Sequence, residues 1–121
     1  MQGKKILLIG DDLQVNQLVK AEFVEQGAEV FTAVDSQDGL HQFHTHKPDL
    51  VIIDLMLPEM DGWKITERIL ELADVPIILL TSLRDDTDAI EGLGRGVIDY
   101  VAKPFSPKVL AARARVALRQ S

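Results

Sequence analysis

The chain contains no cysteine. It therefore has no disulfide framework, no thiolate metal site and no cysteine nucleophile. That absence is compatible with a reducing cytoplasm, the expected location. Long apolar runs are also missing: none approaches the roughly 18 residues needed to span a bilayer. The N-terminal MQGKKILLIGDD carries lysines and a short apolar stretch, but two aspartates follow almost at once, so it fails as a signal peptide. Positive charge is in deficit, with 13 Lys and Arg against 19 Asp and Glu and a formal charge of −6. This disfavours nonspecific binding to nucleic acid or to an anionic membrane. No linker, repeat or low-complexity segment interrupts the chain. Residues 1–121 are accordingly expected to form a single domain with no output domain attached.

What is present is ordinary for a globular protein: 46% apolar and 26% charged residues. A length of 121 residues lies close to the commonest domain size and suffices for one sizeable core. Apolar runs alternate with helical patterns. Ile6 to Ile9, Leu50 to Ile53 and Ile77 to Leu80 are continuously apolar and read as strands buried on both faces. Glu29 to Val34 and Val97 to Val101 complete five strands. Between them the pattern predicts helices over Leu13 to Gln26, with Gly27 as C-terminal cap, and over Ser36 to Lys47, with Ser36 at the N-cap and Leu40 and Phe43 inward. A third covers Trp63 to Leu72, with Ile65, Ile69 and Leu72 as its inner stripe. A short fourth covers Asp86 to Leu93. A last one opens at Ser106-Pro107, with Ser at the N-cap and Pro at N1. LPEMDG reads as a loop. A β-α unit repeated five times implies right-handed crossovers and an α/β fold with a doubly wound parallel sheet.

Four of the strands end on polar residues. Asp11 and Asp12 follow KKILLIG, Asp54 closes DLVIID, Thr81 follows VPIILL and Lys103 follows VIDYVA. In a parallel sheet these ends share the edge where open α/β sheets bind ligands. Three carboxylates on one edge repel one another, and a hard divalent cation relieves this. Magnesium or manganese suits such a set better than calcium, which wants a denser oxygen cage, or zinc, which wants His or Cys. An aspartate beside such a cation can act as a nucleophile toward phosphorus. An ammonium and a hydroxyl, which Lys103 and Thr81 can supply, would then help neutralise the transferred group. Each residue also has a plainer reading. Asp12 can be only a helix N-cap, Thr81 a turn cap and Lys103 a solvated charge. Their joint placement at four strand ends favours the site.

At these residues the chain strongly resembles the receiver domain of two-component response regulators. The matching segments are KKILLIGDD, DLVIIDLMLPEMDGWKI, VPIILLTS and DYVAKPFSP, and the likeness runs from about Lys4 to Arg119. The resemblance implies a flavodoxin-like (βα)5 receiver fold with strand order 2-1-3-4-5. It implies that Asp54 is the phosphoacceptor. Asp12 would be a direct magnesium ligand, Asp11 a ligand acting mainly through water, and the backbone carbonyl of Met56 a further metal contact. Thr81 would bond the phosphoryl group through its hydroxyl and Lys103 would pair with it. Tyr100 would be the switch aromatic that turns inward when Thr81 moves, and the Lys103-Pro104 bond would be cis. The implied partners are a histidine kinase or phosphotransfer protein and a downstream output domain or target protein. The surface altered would be that of the fourth helix, fifth strand and final helix. The domain would assist its own phosphorylation and dephosphorylation without being a conventional enzyme.

Some positions depart from the family pattern. Gly10 stands where an apolar or acidic residue is usual, which loosens the end of strand one without removing a known ligand. Leu13 stands where a polar residue is commoner. Asn16, in VNQLV, resembles the first helix of receivers fused to hybrid kinases. Gly94, Arg95 and Val97 stand where acidic or small residues prevail. The glycines Gly92, Gly94 and Gly96 follow a helix and precede a strand, the wrong order for a phosphate loop, and read as a frayed, mobile helix end. His41, His44 and His46 read as a solvated helix face rather than a metal site. Trp63 is expected to pack at the start of the third helix, and RARVALR to form an amphipathic helix with a basic, solvated face. Two other functions fit parts of the pattern. A magnesium-dependent phosphatase with an aspartyl nucleophile needs an acid-base aspartate two residues after it, where this chain has Met56. A non-phosphorylated receiver-like interaction module would not need Asp12, Asp54, Thr81 and Lys103 together.

Overall fold

The structure, a computed structural model, describes residues 1–55, 62–82 and 96–120. The described elements run in the order β1 (Lys5–Ile9), α1 (Leu13–Glu25), β2 (Glu29–Ala33), α2 (Ser36–His46), β3 (Leu50–Asp54), α3 (Gly62–Leu72), β4 (Ile77–Thr81), β5 (Asp99–Ala102) and α4 (Pro107–Gln120). The helix expected over 86–93, with Gly92, Gly94 and Arg95, lies outside the described residues. All four strand pairings are parallel, and the sheet order is β2-β1-β3-β4-β5, the order that the family resemblance implied.

The continuous apolar runs are explained by burial on both faces. Along β1, β3 and β4, Ile6, Leu8, Leu50, Ile52, Ile78 and Leu80 pack with Val19 and Phe23 of α1 and with Leu110, Ala111, Ala114 and Ala117 of α4. The alternate residues Leu7, Ile9, Val51, Ile53, Ile77 and Leu79 pack with Phe43 of α2 and with Ile65 and Ile69 of α3. Side chains of a strand alternate between faces, so a strand covered on both sides has no position left for a polar residue.

Several local expectations shift. The N-cap of α2 is Asp35, whose carboxylate accepts from Asp38 N at 2.8 Å, and Ser36 is the first helical residue. Lys47 closes this helix in the left-handed region (φ 49°), while Gly27, at φ 93°, makes the turn after α1. Leu72 is 45% exposed rather than inward. It stands off the Ile65–Ile69 stripe, and Ala73 packs on the core instead. β5 begins at Asp99 rather than Val97, after a turn at Gly96 with φ 105°. Val97 is nevertheless buried. The last helix starts as expected: Ser106 Oγ accepts from Lys108 N at 3.2 Å, and Pro107 is its first residue.

Candidate functional site

The carboxyl edge of the sheet brings three of the expected residues together. Asp54 is the last residue of β3 and is only 4% exposed. The register sets it beside Leu80, and Leu55 N donates to Leu80 O at 3.0 Å. One residue further on, β4 ends at Thr81, also buried. Thr81 O accepts from Lys103 N at 2.7 Å, which fixes the start of the segment after β5. From there the Lys103 side chain reaches back, and its ammonium forms an ion pair with Asp54 Oδ2. The Lys103-Pro104 peptide bond is cis.

The carboxylates of the DD pair are placed differently from one another. Asp12 caps α1: its Oδ1 accepts from the backbone N–H of Gln14 and of Val15, both at 3.1 Å. Its carboxylate is thus turned to the helix N-terminus, which favours negative charge. Asp11 stands exposed on the rim after Gly10. Among the described residues no three His, Cys, Asp or Glu side chains gather as a cation-binding group. Met56 lies outside the described residues.

The position facing Asp54 from β1 is Gly10. Gly10 and Asp54 extend the alternate series Ile6, Leu8 and Leu50, Ile52, so both turn toward the α1 side of the sheet. A Cβ at residue 10 would lie 3.6 Å from Asp54 Cβ and 3.2 Å from Asn16 Oδ1. Asn16 comes down from α1 onto this point. It is 5% exposed and its Nδ2 donates to Gly10 O at 2.8 Å. Sequence reasoning did not connect Asn16 with the site. The available signal was a polar residue on the inward stripe of α1, in step with Val19 and Phe23.

Tyr100 lies on β5 beside Leu79, half-buried against the core on the α2–α3 face. Trp63 packs on the same face at the start of α3. His41 and His44 are exposed, whereas His46 stacks on Phe31 with ring centroids 3.6 Å apart.

The donor set at the edge is all oxygen apart from one ammonium. Carboxylate oxygens from Asp11, Asp12 and Asp54, with water completing the shell, are of the kind that suits magnesium, which keeps several waters. They do not fit zinc.

The model of the response regulator receiver domain matches residues 6–115. The chain belongs to this family. The receiver domain is 44% identical over 117 residues to a probable transcriptional regulator, ycf27, of Galdieria sulphuraria, covering 97% of this chain and 46% of the relative. It is 42% identical over 115 residues to the transcriptional regulatory protein AfsQ1 of Streptomyces coelicolor, covering 95% and 51%. It thus spans about half the length of the curated relatives it matches. Among solved structures it is similar to the receiver domain of the Francisella response regulator 1452, with a TM-score of 0.89, 31% identity and 98% of each chain covered.

Proposed function

We propose that this receiver domain works as a phosphorylation-dependent switch in which Asp54 accepts a phosphoryl group from a phosphohistidine of a kinase or phosphotransfer protein. The observation that carries this reading is a buried carboxylate on the sheet's carboxyl edge held against the Lys103 ammonium. A carboxylate oxygen of Asp54 attacks phosphorus, the phosphorus–nitrogen bond breaks, and the electron pair leaves with the imidazole. The product is an acyl phosphate on Asp54. Lys103 exchanges its contact with Asp54 Oδ2 for one with the phosphoryl oxygens, and the Thr81 hydroxyl donates to the same group. Asp12 and Asp54 would hold magnesium or manganese directly, with Asp11 acting mainly through water, and the metal supplies further neutralisation of the phosphoryl charge. Asp12 supports this geometry by fixing the start of α1.

Movement of Thr81 toward the phosphoryl group lets Tyr100 turn inward, shifting a pre-existing equilibrium of the surface that includes β5 and α4. The domain assists its own phosphorylation and the hydrolysis of its acyl phosphate but turns over no separate substrate. The donor docks beside Lys103, where Val15, Leu18, Val19, Pro104, Phe105 and Pro107 line an apolar groove of about 380 Å³. Because the matched relatives are about twice as long and are described as transcriptional regulators, we assign this chain the regulatory part of such a system, acting in the cytoplasm on an output domain or target protein. Mass spectrometry after incubation with a small phosphodonor and magnesium should show one added phosphoryl group, absent in Asp54→Asn. Stable, full modification of that variant would overturn the assignment.

A further inference from the structure

Gly10 leaves a notch between two oxygen acceptors. One is Asp54, whose Oδ2 lies 4.0 Å from the position a Cβ of residue 10 would take. The other is Asn16 Oδ1, 3.2 Å from the same point. The orientation of the Asn16 amide is set by chemistry: Nδ2 donates to Gly10 O at 2.8 Å, a carbonyl that can only accept, so Oδ1 faces the notch. Asn16 is 95% buried, being 5% exposed, yet its Oδ1 has no hydrogen-bond partner among the described residues. No side-chain oxygen or nitrogen among them is both sealed from solvent and unpartnered, so water reaches Oδ1. A group flanked by two acceptors must be a donor or a cation. The Lys103 ammonium is already paired with Asp54 Oδ2, and Asp12 gives one of its two carboxylate oxygens to the cap of α1.

We infer that Asn16 is a positioning residue for the divalent cation. Its Oδ1 and the Asp54 carboxylate hold between them, in the notch that Gly10 leaves open, a water of the cation's shell. The water donates one hydrogen bond to Asn16 Oδ1, and its oxygen faces the cation. An oriented water of this kind does for the shell what an additional protein ligand would do, and it partners the amide oxygen left over inside the protein. Asn16 and Gly10 thus act as a pair: the amide supplies the acceptor, and the missing side chain supplies the space.

The inference rests on the cation site proposed above, and calorimetric titration of the chain with magnesium chloride separates the two. The comparison is between the wild type, Gly10→Ala, whose methyl fills the notch and lies 3.2 Å from Asn16 Oδ1, and Asn16→Leu. Both variants should bind magnesium about tenfold more weakly, the usual size of an effect exerted through a ligand's support. Gly10→Ala should melt within a few degrees of the wild type. A loss of about fivefold or more in Gly10→Ala carries the proposal, and any smaller change overturns it, leaving Asn16 as a tie between α1 and β1. Should Asn16→Leu not fold, Gly10→Ala decides alone. If the wild type binds magnesium and takes a phosphoryl group while the variants bind equally well, only this inference falls. If the wild type does neither, the proposed function falls and takes this inference with it.

Discussion

Asp54 is only 4% exposed, and the nearby ammonium of Lys103 offsets part of the cost of burying its carboxylate. An isolated buried carboxylate is expensive, whereas a paired one leaves water at a far smaller penalty. Under the proposed function, the lysine that balances the aspartate in this structure is also the one that would balance the phosphoryl group. The DD pair shows how much a single residue step changes a role. Asp12 accepts from two backbone N–H groups of α1, while Asp11 makes no such bond among the described residues. Removing the cap in Asp12→Ala should destabilise the chain by about 1 kcal/mol, and Asp12→Asn, which can still cap, by much less. Urea denaturation measures both. Equal losses for the two variants would mean that the carboxylate charge, not the cap, stabilises this corner.

At the scale of elements, two glycines decide how closely helices approach the sheet. A Cβ at Gly39 of α2 would come within 2.9 Å of Ile9 Cδ1 and 3.0 Å of Ile65 Cδ1, the tips of flexible side chains. A Cβ at Gly62 would come within 2.9 Å of Leu55 Cα and 3.1 Å of the Asp54 carbonyl oxygen, which are backbone. Side-chain tips can rotate away, but backbone at the end of β3 cannot move without dragging Asp54. Gly62→Ala should therefore cost about 2–3 kcal/mol and slow phosphorylation, whereas Gly39→Ala should cost about 1 kcal/mol and leave the rate alone. Chemical denaturation and phosphorylation kinetics of the two variants check the ordering. If Gly39→Ala proved the more damaging to phosphorylation, the strand–helix contact at Leu55 would not be what positions the site. The helix that carries Asn16 was legible in outline, since Val19 and Phe23 lie on its buried stripe. Leu18 and Val24, at 57% and 49% exposure, share its apolar spacing without sharing its burial.

At the scale of the whole molecule, the sheet is a platform with a helix layer on each face and its chemistry on one edge. A ligand that binds only the folded edge raises stability by mass action, by about 2.7 kcal/mol at a hundred times its dissociation constant. Thermal unfolding of the chain should therefore shift upward as magnesium is added, and the shift should shrink in Asp54→Asn. An unchanged melting temperature up to millimolar magnesium would count against a cation site on this edge. Calcium should be tested alongside, because a site that keeps most of its ligand shell as water should favour the smaller ion.

Fold class was legible because a strand buried on both faces has a one-dimensional signature. Continuous runs such as LLI, LVII and IILL can be read without knowing what covers them, and alternation with helical patterns then leaves few topologies. The polar residues closing those runs were legible for the same reason, since an apolar run that stops abruptly on Asp54, Thr81 or Lys103 marks where the core ends. Caps were only partly legible: Asp35 and Ser36 are adjacent candidates, and backbone direction, not residue type, chooses between them. What belonged to the tertiary structure alone was direction across the sheet. That the Lys103 ammonium reaches Asp54 across 49 residues of chain, and that Asn16 descends on the space beside Gly10, depend on how separate elements pack. A sequence fixes local period and polarity, but contact between distant residues is settled only once the layers close.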